Sequence, residues 1–162
     1  MSTRSLFCSG LLLIATLTAA AQNGQMSNPY GESINLANAL KAVTAARAEA
    51  TKNHLHMAIA IVDVGGELVY FEKMDDTQTG SVQVAIDKAH SAVLYRRPTK
   101  FFEDNLAAGG DGLRFLALRG AVPVSGGYPL VVDGKIVGAI GLSGGTNKDD
   151  EQCAVAGSSV LK

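Results

Sequence analysis

Two rhythms of apolar and polar positions alternate along the chain. Met57–Asp63 (MAIAIVD) is a short apolar run rich in β-branched residues. Glu67–Glu72 is a second run, and Gly65-Gly66 lies between them. Two such runs about a Gly-Gly turn predict a β-hairpin. Tyr128–Val132 and Lys135–Leu142 predict another, because the Asp133-Gly134 pair that joins them marks a two-residue type I′ turn. The second rhythm is helical. From Ser33, placed as the N-cap, Leu36, Leu40, Val43 and Ala50 recur at helical spacing toward an end near Asn53. Ser81 caps a predicted helix to about Tyr95, carrying Val84, Ala85, Lys88, Ala92 and Val93, and Pro98 closes it. Thr99 caps a short helix with Phe101, Phe102 and Leu106. Ala107–Gly112 (AAGGDG) reads as the most flexible internal segment. Residues 113–127 keep neither rhythm, and an extra strand falls near 115–124. Asn147–Leu161 is the last helix, with Asp149, Asp150 and Glu151 in its first turn, where they suit the helix dipole.

The order α, β, β, α, α, β, β, α with two hairpins predicts an α+β domain, a mainly antiparallel sheet flanked by helices. The length of 162 residues fits one domain, and 47% hydrophobic content is ample for its core. Residues 1–21 are set apart. Arg4 is their only charge, Leu11–Leu17 is apolar, and Ala19-Ala20-Ala21 is a small-residue cleavage pattern. This is the layout of a secretory signal peptide, with an apolar stretch shorter than the roughly 20 residues that span a bilayer. The mature chain is expected to start at Gln22 and to be exported, periplasmic or extracellular. Residues 22–32 read as a flexible polar tail and 33–162 as a single domain. Cys8 falls inside the leader, so Cys153 is the only mature cysteine. That leaves no intrachain disulfide and no cysteine zinc cluster, and a small buried apolar role for Cys153.

A net charge of −1 shows no basic excess for nucleic acid or an anionic membrane surface. With 6% aromatics and no Trp, stacking platforms for single strands are also excluded. Gly141-Leu142-Ser143-Gly144-Gly145 matches the five-residue pattern of a nucleophile elbow, but all three histidines (His54, His56, His90) precede the serine, the wrong order for that hydrolase fold. The same turn, Ser143, Gly144, Gly145 and Thr146, has backbone N–H groups at a helix start that could hold the carboxylate of a small organic acid. His54 and His56 flank Leu55 and share one side of an extended segment, so either could ligate a haem iron. Arg96 and Arg97 close a helix and suit its dipole, or else pair with ligand carboxylates such as haem propionates.

Several segments together carry a resemblance. Ala60–Leu68, Lys88–Val93, Arg97-Pro98-Thr99, Gly127–Leu130, Asp133-Gly134, Val137–Gly141, Ser143–Thr146, Asp150-Glu151 and Ala154–Gly157 occur in this order. The chain resembles the GlcG/HbpS-like family, which includes the C-terminal domain of PduO-type proteins, over roughly residues 34–162. The resemblance implies a compact α/β sandwich with profilin-like layering and a symmetric homo-oligomer. It also implies haem as the ligand, for sequestration, sensing or slow degradation, with a membrane sensor protein as a partner of some members. On that reading His54 or His56 holds the iron, Tyr70, Phe71 or Phe101 contacts the porphyrin, Arg96 or Arg97 meets the propionates, and Thr99 lies near the pocket. No triad, metal cluster or cofactor fingerprint marks a conventional enzyme.

Expression in a secreting host tests the leader directly. Mass spectrometry of the released protein is expected to give a chain of 141 residues starting at Gln22, the 21-residue leader having been removed from 162. An exported chain that retains Met1 contradicts it.

Overall fold

The computed structural model describes residues 27–161. The leader, Cys8 and the first residues of the polar tail lie outside them. The elements are α1 (Leu36–Lys52), β1 (Ala58–Asp63), β2 (Leu68–Lys73), α2 (Ser81–Leu94), α3 (Lys100–Ala107), a 3-10 helix (Gly110–Ala117), β3 (Gly127–Val132), β4 (Lys135–Ser143) and α4 (Asn147–Ser158). The four strands form one antiparallel sheet in the order β2-β1-β4-β3. Helices α1 and α4 cover one face and α2 the other. This is the α+β sandwich expected from the two hairpins.

The period of two along β1 builds both cores. Met57, Ile59 and Ile61 face α1 and α4, while Ala58, Ala60 and Val62 face α2. The α2 side is made of small residues. Ala58, Ala60 and Ala139 meet Ala85, Ala89 and Ala92. At Gly141 a Cβ would lie 2.1 Å from the Ala85 carbonyl oxygen, and at Gly127 one would lie 2.3 Å from that of Lys88. The α2 backbone therefore rests directly on the sheet backbone.

One ion pair is buried in this layer. Lys88 Nζ lies 2.6 Å from Asp150 Oδ2 and also donates to the Leu142 carbonyl at 3.0 Å. Asp150 Oδ1 accepts from the Gly145 N–H at 3.0 Å. Burial pushes the Asp150 carboxyl above its ordinary range, against the pull of the Lys88 charge. The pair joins α2, the end of β4 and the start of α4. Asp150 stands in the first turn of α4, as expected, and is also an interior group. Asp149, beside it in the same first turn, forms a capping box with Thr146.

Several expectations are corrected by local geometry. The N-cap of α1 is Asn35, not Ser33, and its side chain accepts from the Asn38 N–H. Leu36 and Leu40 face outward, and the core stripe is Ala39, Ala42, Val43, Ala46 and Ala50. Gly80 occupies the N-cap of α2, and the Ser81 hydroxyl is buried against Ser143. Thr99 does sit at the N-cap of α3, but its hydroxyl accepts from the Gly127 N–H rather than from the helix. No strand lies near 115–124, where the 3-10 helix ends and the chain is irregular. Pro29 and Gly31, read as part of a flexible tail, are hydrogen-bonded to both backbone groups of Ile136 at 2.8 Å. The Asp133-Gly134 turn has φ of 49° and 71°, as a type I′ turn requires. Cys153 is buried as expected, and burial pushes its thiol up to about 12.

Replacing Lys88 alone by Met leaves Asp150 buried and unpaired, which is expected to cost about 3–5 kcal/mol in urea unfolding. The double variant Lys88→Met/Asp150→Leu is expected to recover most of that loss. A single variant as stable as the parent contradicts the pairing.

Candidate functional site

The site begins where α2 stops. The Arg97 N–H donates to the Ala92 carbonyl and the Arg96 N–H to that of Val93, both at 3.2 Å, and Arg96 has φ of 52°. This is a Schellman closure with arginine in the left-handed position that glycine usually fills. A non-glycine residue there costs about 1–2 kcal/mol. Pro98 follows, and α3 begins two residues later.

Aromatic faces hold both guanidinium groups. Arg97 Cζ lies 4.4 Å from the Phe101 ring centroid, and its Nε donates to the Tyr95 carbonyl at 3.1 Å. Arg96 Cζ lies 5.5 Å from the Tyr30 ring centroid. The Tyr30 hydroxyl donates to the Val93 carbonyl at 2.7 Å, which ties that ring to the end of α2. Both arginines are half-buried, and among the described residues neither pairs with a carboxylate.

They open on a cleft of about 660 Å³. Arg96, Arg97, Pro98 and Phe101 form one side, the β3–β4 hairpin residues Tyr128, Pro129, Val131 and Ile136 the other, and Ser27 and Asn28 border it. Pro129 lies on β3, the outer strand of the sheet, where a missing N–H costs no ladder bond. Phe101 is also the edge of an aromatic cluster with Phe102 and Phe115, at centroid distances of 5.4 to 5.6 Å. Among the described residues the lining holds two cations and no His, Cys, Asp or Glu. Such a cleft suits a ligand with a large apolar body and carboxylates.

Of the residues singled out for haem, the structure brings Arg96, Arg97 and Phe101 together. Thr99 lies beside them but is fully buried, its hydroxyl engaged by Gly127. Tyr70 and Phe71 are on β2, at the opposite edge of the sheet from β3, and pack on opposite faces. His54 and His56 are exposed at the start of β1, with His56 Nδ1 2.9 Å from the Asp75 carbonyl oxygen. Ala58 there pairs with Ser143, whose hydroxyl reaches Ser81 at the start of α2. The arginines follow the other end of α2. Its 14 residues at 1.5 Å rise span about 21 Å, so the two sets lie toward opposite ends of α2. The expected site combining a histidine with Arg96 or Arg97 does not form within one chain, because α2 lies between them.

The Ser143–Thr146 turn is already filled by the chain's own acids. The Gly145 N–H donates to Asp150, and the Thr146 N–H donates to Asp149 at 3.0 Å. Hydrogen bonds from the Thr146 hydroxyl and N–H hold the Asp149 carboxyl below its usual range. A Cβ on Gly144 would lie 2.1 Å from the His56 carbonyl oxygen, so this glycine serves close packing. Ser143 is buried against Ser81 and is no exposed elbow.

The cleft walls from Tyr128 to Ile136 and the Tyr30 ring carried no local signal. They converge on Arg96 only through the sheet and the pinned N-terminal segment.

Sandwich, hairpins and cleft define a class that the comparisons identify. The chain belongs to the family described as haem degrading protein HbpS-like, whose model matches residues 34–159. It is 37% identical to protein GlcG of Escherichia coli K12 over 101 residues, which is 62% of this chain and 74% of that protein. The crystal structure of HbpS superposes with a TM-score of 0.72 at 32% identity, covering 82% of this chain and 92% of that one. The crystal structure of a PduOC:haem complex superposes with a TM-score of 0.71 at 25% identity, covering 80% and 96%.

Proposed function

We propose that the protein binds haem in the cleft at the end of α2. The observation that carries this reading is the pair of half-buried arginines, held by aromatic rings and unpaired with any described carboxylate, at the mouth of an apolar cleft. Guanidinium groups match carboxylates in a bidentate fork, so Arg96 and Arg97 take the two propionates. Phe101, Pro98 and Val131 take the ring. Haem supplies its iron chemistry, and the chain supplies binding, orientation and exclusion of water. Among the described residues the lining offers no acid–base side chain besides the Tyr128 phenol, which favours sequestration or sensing over turnover. The PduOC relative, solved with haem, supports the ligand class.

The signal-like leader supports an exported site of action, with delivery to a membrane sensor as one use of the bound haem. A homo-oligomer is supported by Leu94, Leu113, Leu116 and Leu118, which stay exposed on and beside the 3-10 helix. The occupied N–H groups of the Gly145–Thr146 turn weigh against a small organic acid there.

A haemin titration followed by absorbance tests the site. Arg96→Gln/Arg97→Gln is expected to weaken saturable binding by about tenfold or more per lost charge-assisted bond. His54→Ala/His56→Ala is expected to leave it unchanged. Binding that survives the arginine changes and disappears with the histidines overturns the reading.

A further inference from the structure

The cleft recognises its ligand at two places: the carboxylates, through Arg96 and Arg97, and the flat apolar body, through the hairpin and Phe101. Neither involves the centre of a tetrapyrrole. We infer that the site takes dicarboxylate tetrapyrroles whether or not they carry a metal, so metal-free porphyrins are ligands of the same cleft. This rests on the haem reading above and narrows it to what the site reads.

Three observations support it. First, both guanidinium groups are positioned before any ligand arrives. Arg97 is fixed by the Tyr95 carbonyl and the Phe101 face, and Arg96 by its left-handed backbone and the Tyr30 face. Pre-positioned cations select a pair of anions at set spacing, and the two propionates are the same in haem and in the metal-free ring. Second, the usual protein ligands of haem iron are missing from the lining among the described residues. It contains no His and no Cys, and the histidines His54 and His56 lie beyond the far end of α2. Third, the one lining phenol, Tyr128, packs against the core on the α1–α4 face. With no iron–protein bond from the lining, haem and its metal-free form differ little in what this cleft can grip.

The test measures both ligands on the purified protein. Metal-free protoporphyrin IX is followed by its fluorescence, and haemin competes for the site. Circular dichroism melts first establish that the variants fold as the parent does. The expected result is a dissociation constant for the metal-free ring within about tenfold of that for haemin. Both constants are expected to rise by the same factor in Arg96→Gln/Arg97→Gln and to keep their ratio in Tyr128→Phe. Metal-free protoporphyrin binding about a hundredfold weaker than haemin overturns the inference, as does a haemin affinity that falls to the metal-free value in Tyr128→Phe. If haemin binding depends on the arginines while the metal-free ring fails to compete, this inference falls and the haem reading stands. If neither ligand responds to the arginine changes, the cleft itself is the wrong site and both fall.

Discussion

Peptide groups of α2 lie directly on peptide groups of β3 and β4, and the rest of the molecule follows from that contact. The contact exists because Gly141 and Gly127 present no Cβ where one would lie 2.1 and 2.3 Å from helix carbonyl oxygens. Alanines on both sides complete the seam. Larger side chains would lift the helix off the sheet, and a well-packed core has little capacity to absorb the displacement. Because α2 lies so close, its end is fixed relative to the β3–β4 hairpin. The Schellman closure then delivers Arg96 and Arg97 against the hairpin rather than into open solvent.

The same seam explains the interior ion pair. Lys88 sits on the face of α2 that meets the sheet, where its amine can be satisfied only by the Leu142 carbonyl and Asp150. Asp150 in turn gathers the Gly145 N–H, so one carboxylate satisfies both the helix opposite and the turn before its own helix. A buried pair of this kind adds little to stability over a well-packed apolar pair, but it strongly penalises losing either member. It therefore fixes the register of α2 against α4. It also fills the Gly-rich turn that would otherwise be open to an anion.

Both hairpins were legible in the sequence because their signals are local: a Gly-Gly or Asp-Gly turn between β-branched runs. Helix positions were legible too, but not the helix faces. In α1 the large Leu36 and Leu40 drew attention, while the buried stripe is alanine with Val43, a pattern that hydropathy barely distinguishes from a polar surface. At Ser81 and Thr99 the hydroxyl has a better partner across the fold than the helix start, so Ser81 is not the cap of α2 and Thr99 keeps only the cap position of α3. Arg96, Arg97 and Phe101 could be singled out together because they lie within six residues of one another. Their distance from His54 and His56 was not legible, since it depends on which end of α2 each segment meets. The far wall of the cleft was hidden for the same reason.

The central claim is that the ligand lies between the end of α2 and the β3–β4 hairpin. Amide NMR of the isotope-labelled protein with added haemin tests this most directly, because the paramagnetic iron broadens signals near it. The account predicts broadening centred on Arg96–Phe101 and Tyr128–Ile136, with His54–Met57 untouched. Broadening centred on His54–Met57, with sharp signals at Arg96 and Arg97, would contradict it.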